Sequence, residues 1–253
     1  MISTPYSPVH QARRTPWNSF PTVVIHAPEL LVKKHPAYVS AKSGDAEAAF
    51  TLVRDTLAPR AVQLLQDLLA GRRPILASVH AFERTGVNAI PEALADELGQ
   101  QLGLSVDGAL VQVNVVGHTG ANGYARMARQ AVFDGPVVPG AEYLLVDDFI
   151  GQGGTLANLK SHIELNGGKV IGATVLTGKP YSSVLEPTSE QLGALKAKHG
   201  QELENWWQER FGYGFDCLTQ SEARYLERSP DADKIRNRII EEEQAGNCGA
   251  VQG

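Results

Sequence analysis

Short unbroken apolar runs alternate with segments of helical period through the middle of the chain. TVVIHA (residues 22–27), PILASV (74–79), GALVQVNVV (108–116), EYLLVDD (142–148) and KVIGATVLTG (169–178) are apolar and rich in β-branched residues. Such runs predict strands with both faces buried. Between them, GDAEAAFTLVRDTLAPRAVQLLQDLLAGRR (44–73) predicts two helices divided near Pro59, with Gly71 as a stop and Arg72 and Arg73 at the negative helix end. NAIPEALADELGQQLG (88–103) predicts a helix with Asn88 as cap and Gly103 as stop, and TLANLKSHIELNGG (155–168) one that ends at Gly167-Gly168. GHTGANGYARMARQ (117–130) has no strong period. Strand and helix in alternation predict an α/β fold, a parallel sheet with helices on both faces.

After Lys179-Pro180 the pattern becomes helical. TSEQ (188–191) and TQSE (219–222) both fit a capping box. SPDADKIRNRIIEEEQAG (229–246) predicts a helix with Pro230 in its first turn and Gly246 beyond its end, leaving FGYGFDCL (211–218) as the non-helical stretch. The expected organisation is an extended N-terminal arm (1–21), an α/β core (22–180) and a mostly helical C-terminal extension (181–253) that supplies part of a hood.

Composition narrows the function classes. With 253 residues, 43% apolar and 20% charged, the chain has the make-up of an ordinary globular protein. A net charge of −5 argues against bulk binding to nucleic acid or anionic membrane. The two cysteines, Cys217 and Cys248, imply no disulfide framework and suit a reducing compartment, so a cytoplasmic location is expected. The first 21 residues hold four prolines and no apolar segment of the secretory type, and no run reaches the length of a membrane span. The histidines lack metal-type pairing, so a zinc site is not expected.

The chemistry concentrates in LLVDDFIGQGGTL (144–156). Asp147 and Asp148 end a buried strand, where an open parallel sheet binds ligands. Gly151, Gly153 and Gly154 then admit close approach to the backbone N–H groups of a helix start, which favour an anion, and Thr155 adds a hydroxyl. The carboxylates have the wrong sign for phosphate; they suit sugar hydroxyls or a magnesium ion carried by the ligand. A phosphorylated ribose satisfies both halves. No Lys-Ser or Lys-Thr follows the glycines and GxGxxG is absent, so neither common nucleotide loop fits.

This segment resembles the phosphoribosyl-pyrophosphate (PRPP) motif of type I phosphoribosyltransferases. The resemblance implies that Asp147 and Asp148 hold the ribose hydroxyls and that Gly151, Gln152, Gly153, Gly154 and Thr155 hold the 5′-phosphate. The family usually has small hydroxyl residues where this chain has Gly151-Gln152; backbone donors survive, and one hydroxyl contact is lost unless the Gln152 amide replaces it. For pyrophosphate the resemblance implies Val79, His80 and Ala81 with Arg84, in a stretch whose RTGVNAIPEALADELG is similar to a segment of ComF-like phosphoribosyltransferase homologues. It implies a mobile basic loop with His118, Arg126 and Arg129, the two arginines acting on the leaving group with the acid pair. Exposed loop or helix positions are the alternative for His80, Arg84, Arg126 and Arg129. For the base, Lys179 resembles a lysine that reads an exocyclic oxygen in purine enzymes. Gly212, Tyr213 and Asp216 match a GYALD segment, although the spacing differs and a long helical insertion with Trp206-Trp207 intervenes.

The activity implied is magnesium-dependent transfer of 5-phosphoribose from PRPP to a nitrogenous base, a purine being one candidate, with release of pyrophosphate; a homodimer is also implied. Two alternatives stay open: a non-catalytic PRPP- or nucleotide-binding regulatory protein, and a ComF-like accessory protein.

Overall fold

The computed structural model describes residues 12–80, 82–83, 86–114 and 122–249. In chain order its first half contains β1 (Val24–Ala27), α1 (Glu29–Lys33), α2 (Tyr38–Lys42), α3 (Ala46–Thr56), α4 (Pro59–Leu69), β2 (Ile75–Ser78), β3 (Phe82–Glu83), β4 (Gly86–Val87), α5 (Ile90–Leu102), β5 (Val106–Asp107) and β6 (Val111–Gln112). There follow α6 (Gly123–Ala128), β7 (Phe133–Asp134), β8 (Glu142–Ile150), α7 (Gly154–Leu165), β9 (Lys169–Gly178), α8 (Ser189–Phe211), α9 (Gln220–Glu227) and α10 (Ala232–Gly249), with 3-10 turns at Pro180–Ser182 and Phe215–Cys217.

Five strands form one sheet, in the order β1-β9-β8-β2-β5, with every neighbouring pair parallel. The fold is α/β, as the strand–helix alternation predicts. The apolar runs are unbroken because each face meets its own core. Along β8, Tyr143 and Leu145 enter the core that holds Leu156, Leu159 and Ile163 of α7, whereas Leu144 and Val146 enter the core built from α1 to α5. The C-terminal helices enclose a third core around Trp207, Phe211, Phe215 and Leu218, joined by Met127 of α6.

The strand order locates the ligand-binding end. From β2 the chain crosses by α5 to β5 on one side, and from β8 it crosses by α7 to β9 on the other. Right-handed crossovers in opposite directions put their helices on opposite faces. The change of direction falls between β2 and β8, and a sheet of this kind places its ligand beyond the carboxyl ends of such strands.

Local chemistry explains most element boundaries. Gly103 closes α5 in the left-handed conformation, and Pro59 opens α4. Thr219 and Glu222 form the full capping box of α9; Thr188 caps α8 through Gln191 N–H. Asn88 Oδ1 accepts from Ile90 N–H at the start of α5.

Three expectations change. The expected strand at 108–116 is, over its described part Gly108 to Asn114, not a strand of the main sheet, and it meets the end of β2 in a single bridge, Val111 to His80. The edge position belongs to Val106–Asp107, and Asp107 Oδ1 accepts from Ala109 N–H in a turn that ends it. Val111–Gln112 instead pairs antiparallel with Phe133–Asp134. The last helix starts after Pro230, where Asp231 Oδ1 accepts from Lys234 N–H, and it continues through Gly246. One interior glycine costs about 1 kcal/mol, too little to stop a helix on its own. The segment 117–130, read as aperiodic, contains α6, capped by Asn122.

Candidate functional site

β8 does not stop at the acid pair. It runs through Asp147 and Asp148 to Ile150, paired with β9 up to Ile150 and Gly178. On the other edge, pairing with β2 ends at Val146, one residue before the acids. Alternation sends Asp148 towards the α1–α5 face, where Lys42 of α2 meets it: Nζ to Oδ2 is 2.9 Å. Asp147 Oδ1 accepts from the Asp148 N–H at 2.8 Å. The two residues are only 6% and 8% exposed. Burial, then the Asp148 charge, holds the Asp147 carboxyl well above the usual carboxylate range. Lys42 thus pairs with Asp148, while Asp147 beside it is favoured in its neutral form.

Gly151 to Gly153 form the loop into α7. A Cβ on Gly151 would meet Arg126 Nη1 at 2.6 Å, so the loop and the guanidinium are packed together. Gly153 has φ of +83° and faces Leu185, whose Cδ2 would lie 2.4 Å from an added Cβ. The loop is clasped from the C-terminal side: Thr219 Oγ1 donates to the Gln152 carbonyl at 2.6 Å. Behind Gly154 lies the buried pair Arg14–Glu222, with a closest N–O distance of 2.5 Å. Arg14 also donates to Asn158 of α7 and stacks over Tyr213.

A cleft of about 870 Å³ opens beside the loop. Gly151, Gln152 and Phe149 form its floor, and Arg126, Lys179, Lys33, Glu29 and Tyr181 line it with one face of α9. Glu29 bridges Lys33 and Lys179, each at 2.6 Å, and both lysines lower its pKa; Glu29 in turn raises that of Lys179. Lys33 also lies over the Phe149 ring at 4.6 Å. Gln152 Oε1 is shielded from water and has no hydrogen-bond partner among the described residues.

The structure therefore brings Gly151, Gln152, Arg126 and Lys179 to one cleft, with Asp147 and Asp148 buried nearby in the same strand end. Gly153, Gly154 and Thr155 shape the loop without lining the cleft. Val79 donates to the Val146 carbonyl, and His80 Nε2 lies 2.8 Å from Ser78 Oγ; both sit at the end of β2, outside the cleft. Ala81, Arg84 and His118 lie outside the described residues.

Arg129 faces Glu242 of α10 at 3.5 Å rather than the cleft. Asp216 is exposed on a 3-10 turn and does not line the cleft. The reason is local: Arg14 and the third core draw Tyr213 and Phe215 inward, leaving Asp216 on the outside. Trp207 is fully buried in that core. Cys217 is buried and its thiol is pushed up to about 12, so it is no thiolate nucleophile at neutral pH.

Lys42, Arg14, Glu222 and Arg224 were not singled out as site residues in the sequence. For Glu222 a signal existed, the TQSE capping box, but it announced a helix start and not a brace for the glycine loop, 67 residues away between Gln152 and Thr219.

Among described residues no cluster of three or more His, Cys, Asp or Glu could hold a metal, and no helix is long and apolar enough to cross a membrane.

No family model matches the chain. It is 41% identical over 229 residues to Protein TraN of Escherichia coli, an alignment covering 90% of this chain and 51% of that protein. An uncharacterized protein of Haemophilus influenzae is 39% identical over 155 residues, covering 60% and 34% respectively. The chain thus spans about half the length of the first relative and a third of the second. Solved structures similar to it include adenine phosphoribosyltransferase from Thermoanaerobacter pseudethanolicus, at 19% identity and a TM-score of 0.32, covering 51% of this chain and 73% of that one. The Leishmania donovani UMP synthase aligns at 11% identity and a TM-score of 0.30, covering 70% and 35%. Likeness this weak carries no argument about function.

Proposed function

We propose that the chain binds PRPP and transfers its 5-phosphoribosyl group to a nitrogenous base, releasing pyrophosphate. The reading rests on one juxtaposition: the glycine loop, Arg126 and Lys179 share a cleft of about 870 Å³ beside two buried carboxylates. That volume suits a ligand of nucleotide size.

In this reading the N–H groups of Gly151 and Gln152, the loop residues in the cleft, hold the 5′-phosphate, and Gly153 to Thr155 behind them give the loop its shape. Asp147 and Asp148 accept from the ribose hydroxyls, and Asp148 exchanges its bond to Lys42 for one of them. Phe149 and Tyr181 flank the acceptor, and Lys179, released from Glu29, donates to it. The protein's main contribution is to position the acceptor nitrogen against the ribose carbon and to keep water away. Arg126 offers positive charge to developing anionic charge. The pair Asp147–Asp148, two oxygen-donor groups side by side, would suit a magnesium ion carried by the ligand, which would supply neutralisation of the departing pyrophosphate.

Titration calorimetry with PRPP and magnesium tests the binding half. Asp148→Asn is expected to abolish the binding signal with the fold intact; unchanged affinity would remove the ribose assignment. Pyrophosphate release across a panel of bases tests turnover.

One observation favours a second reading, a PRPP- or nucleotide-binding protein without turnover. At Gly151 no side chain can reach the ligand, and the space of a Cβ is taken by Arg126. Tight PRPP binding with no pyrophosphate release from any base would select it.

A further inference from the structure

The cleft has a wall that the PRPP reading leaves unused. Ser221, Arg224, Tyr225 and Arg228 are spaced along one face of α9 and its C-cap, and all four line the cleft. The opposite face, with Ala223 and Leu226, is buried in the third core. Helical spacing therefore fixes the two arginines one turn apart on the cleft side.

Charge makes this face unusual. The chain has a net charge of −5, yet five cationic side chains and a single carboxylate, Glu29, line the cleft. Glu29 is already shared by Lys33 and Lys179. Among the described residues Arg224 and Arg228 form no ion pair. The Arg224 guanidinium donates to Gln220 Oε1 at 2.8 Å and to the Tyr181 carbonyl at 3.5 Å, both neutral acceptors. It also lies 5.7 Å from the centre of the Tyr181 ring. Some arginines of the fold take carboxylates, as Arg210 takes Glu243 and Arg54 takes Glu97, while Arg72 and Arg73 donate to carbonyls at helix C-termini. A position near the negative end of α9 would suit any cation. It does not account for two arginines and two tyrosines facing one cavity.

We propose that Arg224 and Arg228 form an anion subsite in this cleft, so that the acceptor is a planar compound bearing a carboxylate or phosphate of its own. The subsite rests on the phosphoribosyl reading only for naming its occupant an acceptor. Tyr181 and Tyr225 present ring surface to the planar part. Arginine suits the charged part because its fork matches both carboxylate and phosphate.

The test compares ligands that differ by one anionic group. Orotidine 5′-phosphate and uridine 5′-phosphate differ by a carboxylate on the base. Pyridoxine 5′-phosphate and pyridoxine, each a planar ring, differ by a phosphate. Calorimetry on the full chain is expected to show at least one of the more anionic partners bound about tenfold or more tightly than its counterpart, and the pair that discriminates identifies the anion. In Arg224→Gln/Arg228→Gln that ratio is expected to fall to about one. Arg228→Gln alone, at an exposed position, is expected to lower it in part, which guards against misfolding of the double variant. Equal binding within both pairs by the unaltered protein, with ribose 5-phosphate still bound, would overturn the subsite and leave the phosphoribosyl reading standing. A ratio unchanged in the double variant would also overturn it. Failure of ribose 5-phosphate and every compound of both pairs to bind would overturn both readings together.

Discussion

Replacing Glu222 by alanine should unsettle the glycine loop from behind. The Glu222 carboxylate receives Arg14 Nη1 at 2.5 Å and Nη2 at 2.9 Å, and its side chain is 2% exposed against 1% for Arg14. The same carboxylate accepts from Thr219 N–H at 2.9 Å, closing the capping box. Removing one partner of a buried pair costs about 3–5 kcal/mol, because the other charge stays buried without its counter-ion. Loss of half of a capping box adds roughly 1 kcal/mol. The expected loss is therefore about 4–6 kcal/mol, or roughly 8–24 °C in Tm for a chain of this size. Urea unfolding followed by circular dichroism measures it. Arg14→Met/Glu222→Met should recover much of the loss, since an apolar pair of similar bulk leaves no buried charge. Glu222→Gln keeps an acceptor for Thr219 and separates the capping share from the ionic share. A loss below about 1 kcal/mol in Glu222→Ala would refute the reasoning, since it would mean the guanidinium finds water or another partner at no cost.

Three further perturbations have expected signs. Gly153→Ala meets both a φ of +83° and Leu185 at 2.4 Å, so it should lose roughly 2–4 kcal/mol of stability by denaturant titration and weaken phosphate-ester binding at the loop. Asp147→Asn should raise the Tm of the ligand-free protein at neutral pH while weakening PRPP binding. The folded pKa of Asp147 is raised, so its ionised form is a penalty present above that pKa and absent below the unfolded one; a lower Tm would contradict this. Burial lowers His26 from 6.5 to about 4, so its neutral form stabilises the fold fully above pH 6.5 and progressively less as pH falls towards 4. Between pH 7 and pH 5 that amounts to about 2 kcal/mol, and His26→Gln should flatten this part of the pH–stability curve.

The sheet was legible because its signal is local. β9 was read to its residue limits from an apolar run with no polar alternation, and that run exists because successive side chains of a doubly covered strand enter two cores. The edge of the sheet was less legible. At Val106–Asp107 two residues carry the pairing, whereas the longer run from Gly108 looks more strand-like and, among the described residues, meets the end of β2 in a single bridge, Val111 to His80. A two-residue strand has no period to detect. Helix ends followed their caps where the cap was a side chain or a left-handed glycine, and failed at Gly246, where a signal of about 1 kcal/mol was outweighed by the rest of α10.

The loop and the acid pair were legible in LLVDDFIGQGGTL, but the surroundings of that pair were not: both acids are buried, and Asp148 is met by Lys42 from more than a hundred residues earlier. Whether a carboxylate at a strand end is a free acceptor or half of an ion pair depends on which helix the opposite face carries, and strand alternation alone assigns the face without naming the helix. The same limit applies to the cleft. Arg224 and Arg228 carry no sequence signal of a site; their place in the cleft follows from α9 lying beside Gly151 and Lys179. A net charge of −5 averages such a patch away. What the ligand meets is the local field of a low-dielectric cleft, where a few like charges outweigh a larger opposite total spread over the surface. An acidic protein can therefore present a cationic site, and net charge excludes a polyanion spread over the surface without excluding a small anion held in one cavity.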